Sequence, residues 1–302
     1  MVVNYFLLLI SYKPLFPMSS HDLSSNLQPF KIEISKLSSL SHLKTRTDDE
    51  FLIRFLKTAK NDLPKSVKRY EDYHKVLESL PHADLIMSGE REKYSYLIDA
   101  MKKINEGDDT MSYFGRDSQG RHMVGFDATA FIRLLNNETE DGGCNKENEV
   151  LFDASMIMCV LLLDYLMETY LDIQDQGLIT MEDQSNFNMK AMAASMKHFS
   201  KMKCFAKIMD GTMPIRFSKC FIIDGPTLMT ALFNLFKPFL SQKIIDKMTM
   251  VSGNSQLREY VGGDEFLPKM FKGQRTKQAM DIDWEAQLKK AFPTVEDYVV
   301  DC

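Results

Sequence analysis

The chain has 302 residues, of which 44% are apolar and 26% charged, with a formal net charge of −5. That length allows one large domain or one with a small partner, and it can bury a substantial core. The acidic balance argues against general nucleic-acid binding but leaves room for a local basic patch. Five cysteines (Cys144, Cys159, Cys204, Cys220 and Cys302) form no C-x-x-C pair. An odd count in a long chain favours reduced thiols of the cytosol over a disulfide framework.

Residues 2–10 are apolar enough for a signal-peptide core. No basic residue precedes them, Lys13 and Pro14 follow, and no clear small-residue cleavage site appears. Residues 1–35 are therefore expected to be a disordered or leader segment, with Met18 an alternative start. A small helical domain is expected over residues 36–85. Thr47-Asp48-Asp49-Glu50 has capping-box spacing, and Phe51, Leu52, Phe55, Leu56 and Ala59 recur at helical intervals. A second helix begins near Pro64 and ends before Pro81.

The larger domain is expected over residues 86–275. Tyr94, Leu97, Ile98, Met101 and Ile104 form a helical stripe, and Asp117 with Gly120 marks a turn between two short strands. His122, on the second strand, reads as a surface residue. Residues 136–148 read as a polar surface loop, residues 149–171 as a long helix, and residues 178–181 as a strand. The acidic cluster Asp172, Asp175, Glu182 and Asp183 straddles a helix end, a turn and a strand end, where capping and solvation account for it. Met189, Met192, Met196, Phe199 and Phe205 make the next helical stripe, before a strand over residues 216–223. Alternating helices and strands predict an α/β sheet. Residues 276–302 read as a C-terminal helical tail carrying Trp284, the only tryptophan.

Residues 219–251 organise the rest. A buried strand leads to Asp224-Gly225-Pro226, where Asp can cap and Pro can start a helix. Leu228, Met229, Ala231, Leu232, Phe233, Leu235 and Phe236 leave that helix apolar on nearly every side, though it is too short to span a bilayer. Lys237-Pro238 ends or kinks it, and Ser241 can cap a second, basic helix. Two readings stay open: a central helix buried by protein, or a lid that closes over an apolar ligand and meets a membrane when open. Twenty-one methionines suit either an adaptable pocket or plain core filling.

The order of strand, IIDGP, apolar helix, KPFLSQKIIDK and LPKMFKG resembles the CRAL-TRIO lipid-binding family, especially its tocopherol and retinaldehyde carriers. The run FLIRFLKTAK over residues 51–60 is similar to the family's helical N-terminal domain. Asp224 stands where the family has Asn, and Lys272 where it pairs glycines. The resemblance implies a mixed sheet with flanking helices and a mobile lid helix. It implies an apolar pocket at Ile157, Val160, Leu178, Ile208, Met209, Met213 and Cys220, with Met229, Leu232, Phe233 and Phe236 from the lid. It also places Asp164 at the pocket edge and a phosphoinositide site at Lys68, Arg216, Lys243 and Lys247, whereas Leu77 and Ser218 occupy two further positions that are basic in the family.

No G-x-S-x-G, P-loop or H-E-x-x-H motif occurs, and the six histidines lack metal-ligand spacing. The expectation is therefore a non-enzymatic, cofactor-free, monomeric carrier in the cytoplasm, transiently membrane-associated. It would hold one tocopherol, retinoid or similar lipid and transfer it at phosphoinositide-containing membranes. A phosphoinositide-sensing or small-GTPase-regulating module without bulk transfer is the alternative.

Overall fold

A five-stranded sheet forms the centre of the chain, with strands in sequence order. The computed structural model describes residues 20–106, 111–127 and 146–293. β1 (Met111–Arg116) pairs antiparallel with β2 (His122–Asp127). β3 (Leu178–Asp183), β4 (Phe217–Ile223) and β5 (Met248–Val251) then add in parallel. Apolar side chains occupy both faces, as a sheet covered on both sides requires.

Ahead of the sheet come α1 (Ser20–Ser35), α2 (Asp49–Thr58), α3 (Leu63–Ser79), α4 (Ala83–Met87) and α5 (Arg91–Glu106). Part of the segment expected as leader is therefore helical. Within α1, Leu27, Phe30 and Ile34 enter the core, and the Phe30 ring meets the Tyr70 ring edge-on at 5.9 Å. The remaining residues 1–19 lie outside the described residues. α2 is capped by Asp48, one residue later than the expected box, whose carboxylate accepts from the Phe51 N–H at 3.0 Å.

α6 (Lys146–Thr169) crosses one face of the sheet. It is long and apolar enough to span a membrane, but 83% of its most apolar window is buried inside the protein, so it is a core helix. Residues 136–145 of the expected loop lie outside the described residues. A short α7 (Ile173–Gln176) leads to β3, and α8 (Met189–Lys197) and α9 (Phe199–Lys207) follow it. A π-turn over Ile208–Thr212 connects to β4. α10 (Thr227–Phe236) is the expected apolar helix, and Lys237–Phe239 tightens into a 3-10 turn at Pro238. α11 (Gln242–Ile245), α12 (Ser255–Val261) and α13 (Trp284–Ala291) complete the described elements. α13 docks as expected, with Trp284 and Leu288 in the core shared with α6.

Two local expectations are corrected. Asp224 does not cap α10; it adopts φ 53°, and its carboxylate accepts from the Gly253 N–H at 2.5 Å, tying the two strand ends together. His122 is not on the surface. It is fully buried, hydrogen-bonded to the Tyr113 hydroxyl at 2.8 Å, with Asp172 3.3 Å from its other nitrogen.

Candidate functional site

The sheet's two faces follow from strand parity. Ile179, Met181, Phe221 and Ile223 join the cluster under α12, whereas Leu178 and Cys220 join the cluster under α6. Thr180, Glu182 and Ile222 therefore face the α6 side. Register sets Glu182 beside Phe126 and Ile222, and Ile222 beside Met250. α10 begins over this end of the sheet. A Cβ built on Gly225 would lie 3.3 Å from Met229 and 3.5 Å from Ile222, and Thr230 Oγ1 is 3.6 Å from Met250 Sδ.

Of the pocket positions implied by resemblance, Ile157, Val160, Leu178, Met213 and Cys220 are buried together in the α6-side core. Leu232 and Phe236 pack elsewhere, with Phe187 and Ala191, and partly buried Met229, Phe199 and Met202 pack against them. These two buried sets share no residue. Phe233 is half-buried and belongs to neither set. The side chains of Ile208 and Met209 lie outside the described residues. The buried side chains of α10 are thus seated on α8 and α9.

Cys159 of α6 and Glu182 of β3 lie close enough for the Glu182 charge to act on the Cys159 thiol. Both keep accessible surface, yet both are deep enough for burial to raise their pKa values, the thiol to about 12 and the carboxyl above its usual range. Cys220 responds likewise, its thiol pushed up to about 11 by burial. Glu182 was read from sequence as a solvated strand end. The structure corrects this, because its parity turns the carboxyl inward. Asp172, Asp175 and Asp183 do behave as expected, paired with Arg116, Lys57 (3.3 Å) and the Ser185 N–H (2.9 Å).

Asp164 points away from the sheet. Its carboxylate is buried and accepts from the Tyr73 hydroxyl at 2.7 Å, with Arg54 at 4.0 Å, so it faces the N-terminal helices. A hollow of about 180 Å³ lies between α3 and α13, and a groove of about 450 Å³ runs along the end of α1. Neither includes a residue of the lid or sheet.

Three of the four expected basic residues converge. The Lys247 ammonium donates to the Phe217 carbonyl, and burial, then the charges of Lys243 and Arg216, push its pKa down. Arg216 is fixed by donating to the Asp175 carbonyl at 2.9 Å. Lys68 is paired within its own helix, 2.5 Å from Asp72, and is not among the charges acting on Lys247. Leu77 is buried, and the Ser218 hydroxyl is packed against Gly177. Both are packing positions here.

The α8–α9 region and α6 are joined by charge and stacking. Asp153 of α6 lies 2.7 Å from the Lys201 ammonium and 2.9 Å from His82 Nε2, and the His198 ring stacks on Phe152 at 4.4 Å. Asp210, in the π-turn, accepts from the Ser241 N–H at 3.0 Å and from its hydroxyl.

Comparison with known proteins agrees with this architecture. Clavesin-1 of Rattus norvegicus is 26% identical over 232 residues, 76% of this chain and 58% of its own length. Alpha-tocopherol transfer protein-like of Mus musculus is 24% identical over 261 residues, 85% of this chain and 66% of its own. The chain thus spans less than two thirds of either relative. The crystal structure of Sfh5 shares the fold, with a TM-score of 0.53 and 12% identity over 89% of this chain and 91% of that one. The CRAL/TRIO domain profile matches residues 108–273, more than half of the sequence, and the chain belongs to the CRAL/TRIO domain family.

Proposed function

We propose that this protein is a non-enzymatic carrier that encloses one hydrophobic molecule between α6, the sheet and α10, and exchanges it at membranes. The observation that carries the reading is the separation of the two buried sets. Leu232 and Phe236 pack on α8 and α9, Cys220 and Leu178 pack on α6, and Cys159 and Glu182 keep accessible surface. A space opened between two such apolar sets would suit a lipophile. The relative named as a transfer protein supports the same class of activity.

Release requires a second cover for the lid's apolar surface. Leu235 and Phe239 are exposed, and Lys203 lies 4.7 Å over the Phe239 ring. A bilayer supplies that cover, and its anionic head groups suit Arg216, Lys243 and Lys247. At roughly 1 kcal/mol for each basic residue near an anionic surface, three give about 3 kcal/mol, enough for transient docking. In this reading the protein works as a monomer in the cytosol and visits phosphoinositide-containing membranes.

Native mass spectrometry of the purified full chain tests the proposal. A single co-purifying lipid of discrete mass is expected. A lipid-free protein that binds phosphoinositide vesicles but takes up no lipid from them would replace the carrier with a sensing module.

A further inference from the structure

We propose that Ser241 is a phosphorylation site, and that its phosphate switches off docking on anionic membranes by offsetting the basic surface around Lys243. This adds regulation to the carrier reading and rests on its membrane step.

From Lys237 to Lys243 every residue is exposed except Leu240, which is partly buried. In the middle of that strip the backbone runs extended, with φ −111° and ψ 142° at Leu240 and φ −68° and ψ 152° at Ser241. It thus links the 3-10 turn at Pro238 to the start of α11. Protein kinases take their substrates as exposed, extended segments and choose among them by charge pattern. Lys237 lies four residues before the Ser241 hydroxyl and Lys243 two after it, a pattern for a kinase that selects basic substrates. In the transfer, the Ser241 oxygen attacks the γ-phosphorus of a nucleoside triphosphate. The new O–P bond replaces the bond to the β-phosphate oxygen, the nucleoside diphosphate leaves, and the hydroxyl proton passes to the kinase's base.

The surroundings set the consequence. Asp210, the one acidic residue between Lys190 and Lys219, accepts from the Ser241 N–H at 3.0 Å and from its hydroxyl. A phosphoserine has lost the hydroxyl hydrogen, and its roughly two negative charges would face the Asp210 carboxylate. Repulsion replaces a hydrogen bond, and the tie between the π-turn and the chain leaving α10 is broken. The same charges stand two residues from Lys243, whose own charge reaches Lys247 together with that of Arg216. Of the three cations that suit anionic head groups, the phosphate offsets about two.

The test begins with incubation of the full chain with ATP and the catalytic fragment of protein kinase C, followed by peptide mapping. One phosphate on Ser241 is expected, and none at that position in Ser241→Ala. Both proteins are then sedimented with vesicles of phosphatidylcholine, alone or mixed with phosphatidylserine. Phosphorylation should weaken wild-type binding to the mixed vesicles about tenfold or more and leave binding to the neutral ones unchanged. Ser241→Ala should keep its binding through the same treatment. A folded chain left unmodified at Ser241 would overturn the site. So would a Ser241 phosphate that leaves binding to the mixed vesicles unchanged. If unmodified wild type does not bind the mixed vesicles, the membrane step of the carrier reading falls and the switch with it. Uptake of diphenylhexatriene by the same sample then shows whether the enclosed site survives that loss.

Discussion

The Lys201 ammonium stands 2.7 Å from Asp153 Oδ1, a carboxylate buried in α6 that also meets His82 at 2.9 Å. This contact joins α9, and with it the frame on which the lid rests, to the body of the domain. Replacing the carboxylate removes the charge that the Lys201 ammonium and the His82 ring face. Asp153→Asn is expected to lower the unfolding free energy by about 2 kcal/mol, below the usual cost of breaking a fully buried pair because Lys201 is partly exposed. Urea denaturation measures that loss. Backbone hydrogen exchange over residues 199–207 should rise by more than the global change accounts for.

In the proposed carrier, membrane exchange would depend on the basic cluster separately from cargo affinity. Lys243→Ala combined with Lys247→Ala is expected to cut transfer to anionic vesicles about tenfold or more, given roughly 1 kcal/mol for each charge. The rate to neutral vesicles and the affinity for cargo should stay unchanged. Transfer rates measured at low and high salt should converge for the wild type and vary little for the variant. Equal transfer by both proteins would reject the role.

The lid's outer face gives a complementary test. Leu235 is exposed, so Leu235→Ser should change stability by no more than about 0.5 kcal/mol. Vesicle binding should nonetheless weaken. By contrast Phe236, buried 5.0 Å from the Phe199 ring, should cost about 3 kcal/mol on truncation to Ala.

Glu168 predicts an acid signature. Burial alone would raise its pKa, but hydrogen bonds from Lys290, Arg46 and Gln287 outweigh burial and hold it down to about 2, against an ordinary 4.5. A carboxyl held down in the folded state takes up protons more readily once unfolded, so its stabilisation is full above pH 4.5 and is lost as pH falls toward 2. Glu168→Gln is expected to lose about 2 kcal/mol at neutral pH, after discounting for solvent screening. The gap between variant and wild type should close through that window in parallel denaturation curves.

The apolar helix was legible because a run apolar on nearly every side, ended by Pro238, allows few placements. The sheet was legible from its alternation with helices and from the turn residues at Gly120 and Gly225. Burial of α1 was not, since its serines and Pro29 obscure the periodicity, and only its tertiary partners Phe55 and Tyr70 explain the buried Phe30. Glu182 was missed for a different reason. On a strand one step of parity separates solvent from interior, and composition at a strand's end does not fix that step. His122 shows the same ambiguity, since its partner Tyr113 is on the neighbouring strand. The convergence of Arg216, Lys243 and Lys247 depended on β4 and β5 lying side by side, which spacing along the chain does not reveal.

The seating of Leu232 and Phe236 on Phe187 and Ala191 has a thermodynamic consequence. If α10 swings with α8 beneath it, as the proposed carrier requires, that greasy seam would stay shut, and water would newly wet only the surface that α10 had covered. Cargo release should therefore carry a heat-capacity increment that is a small fraction of the one for denaturation, and its rate should respond to warming far less steeply than unfolding does.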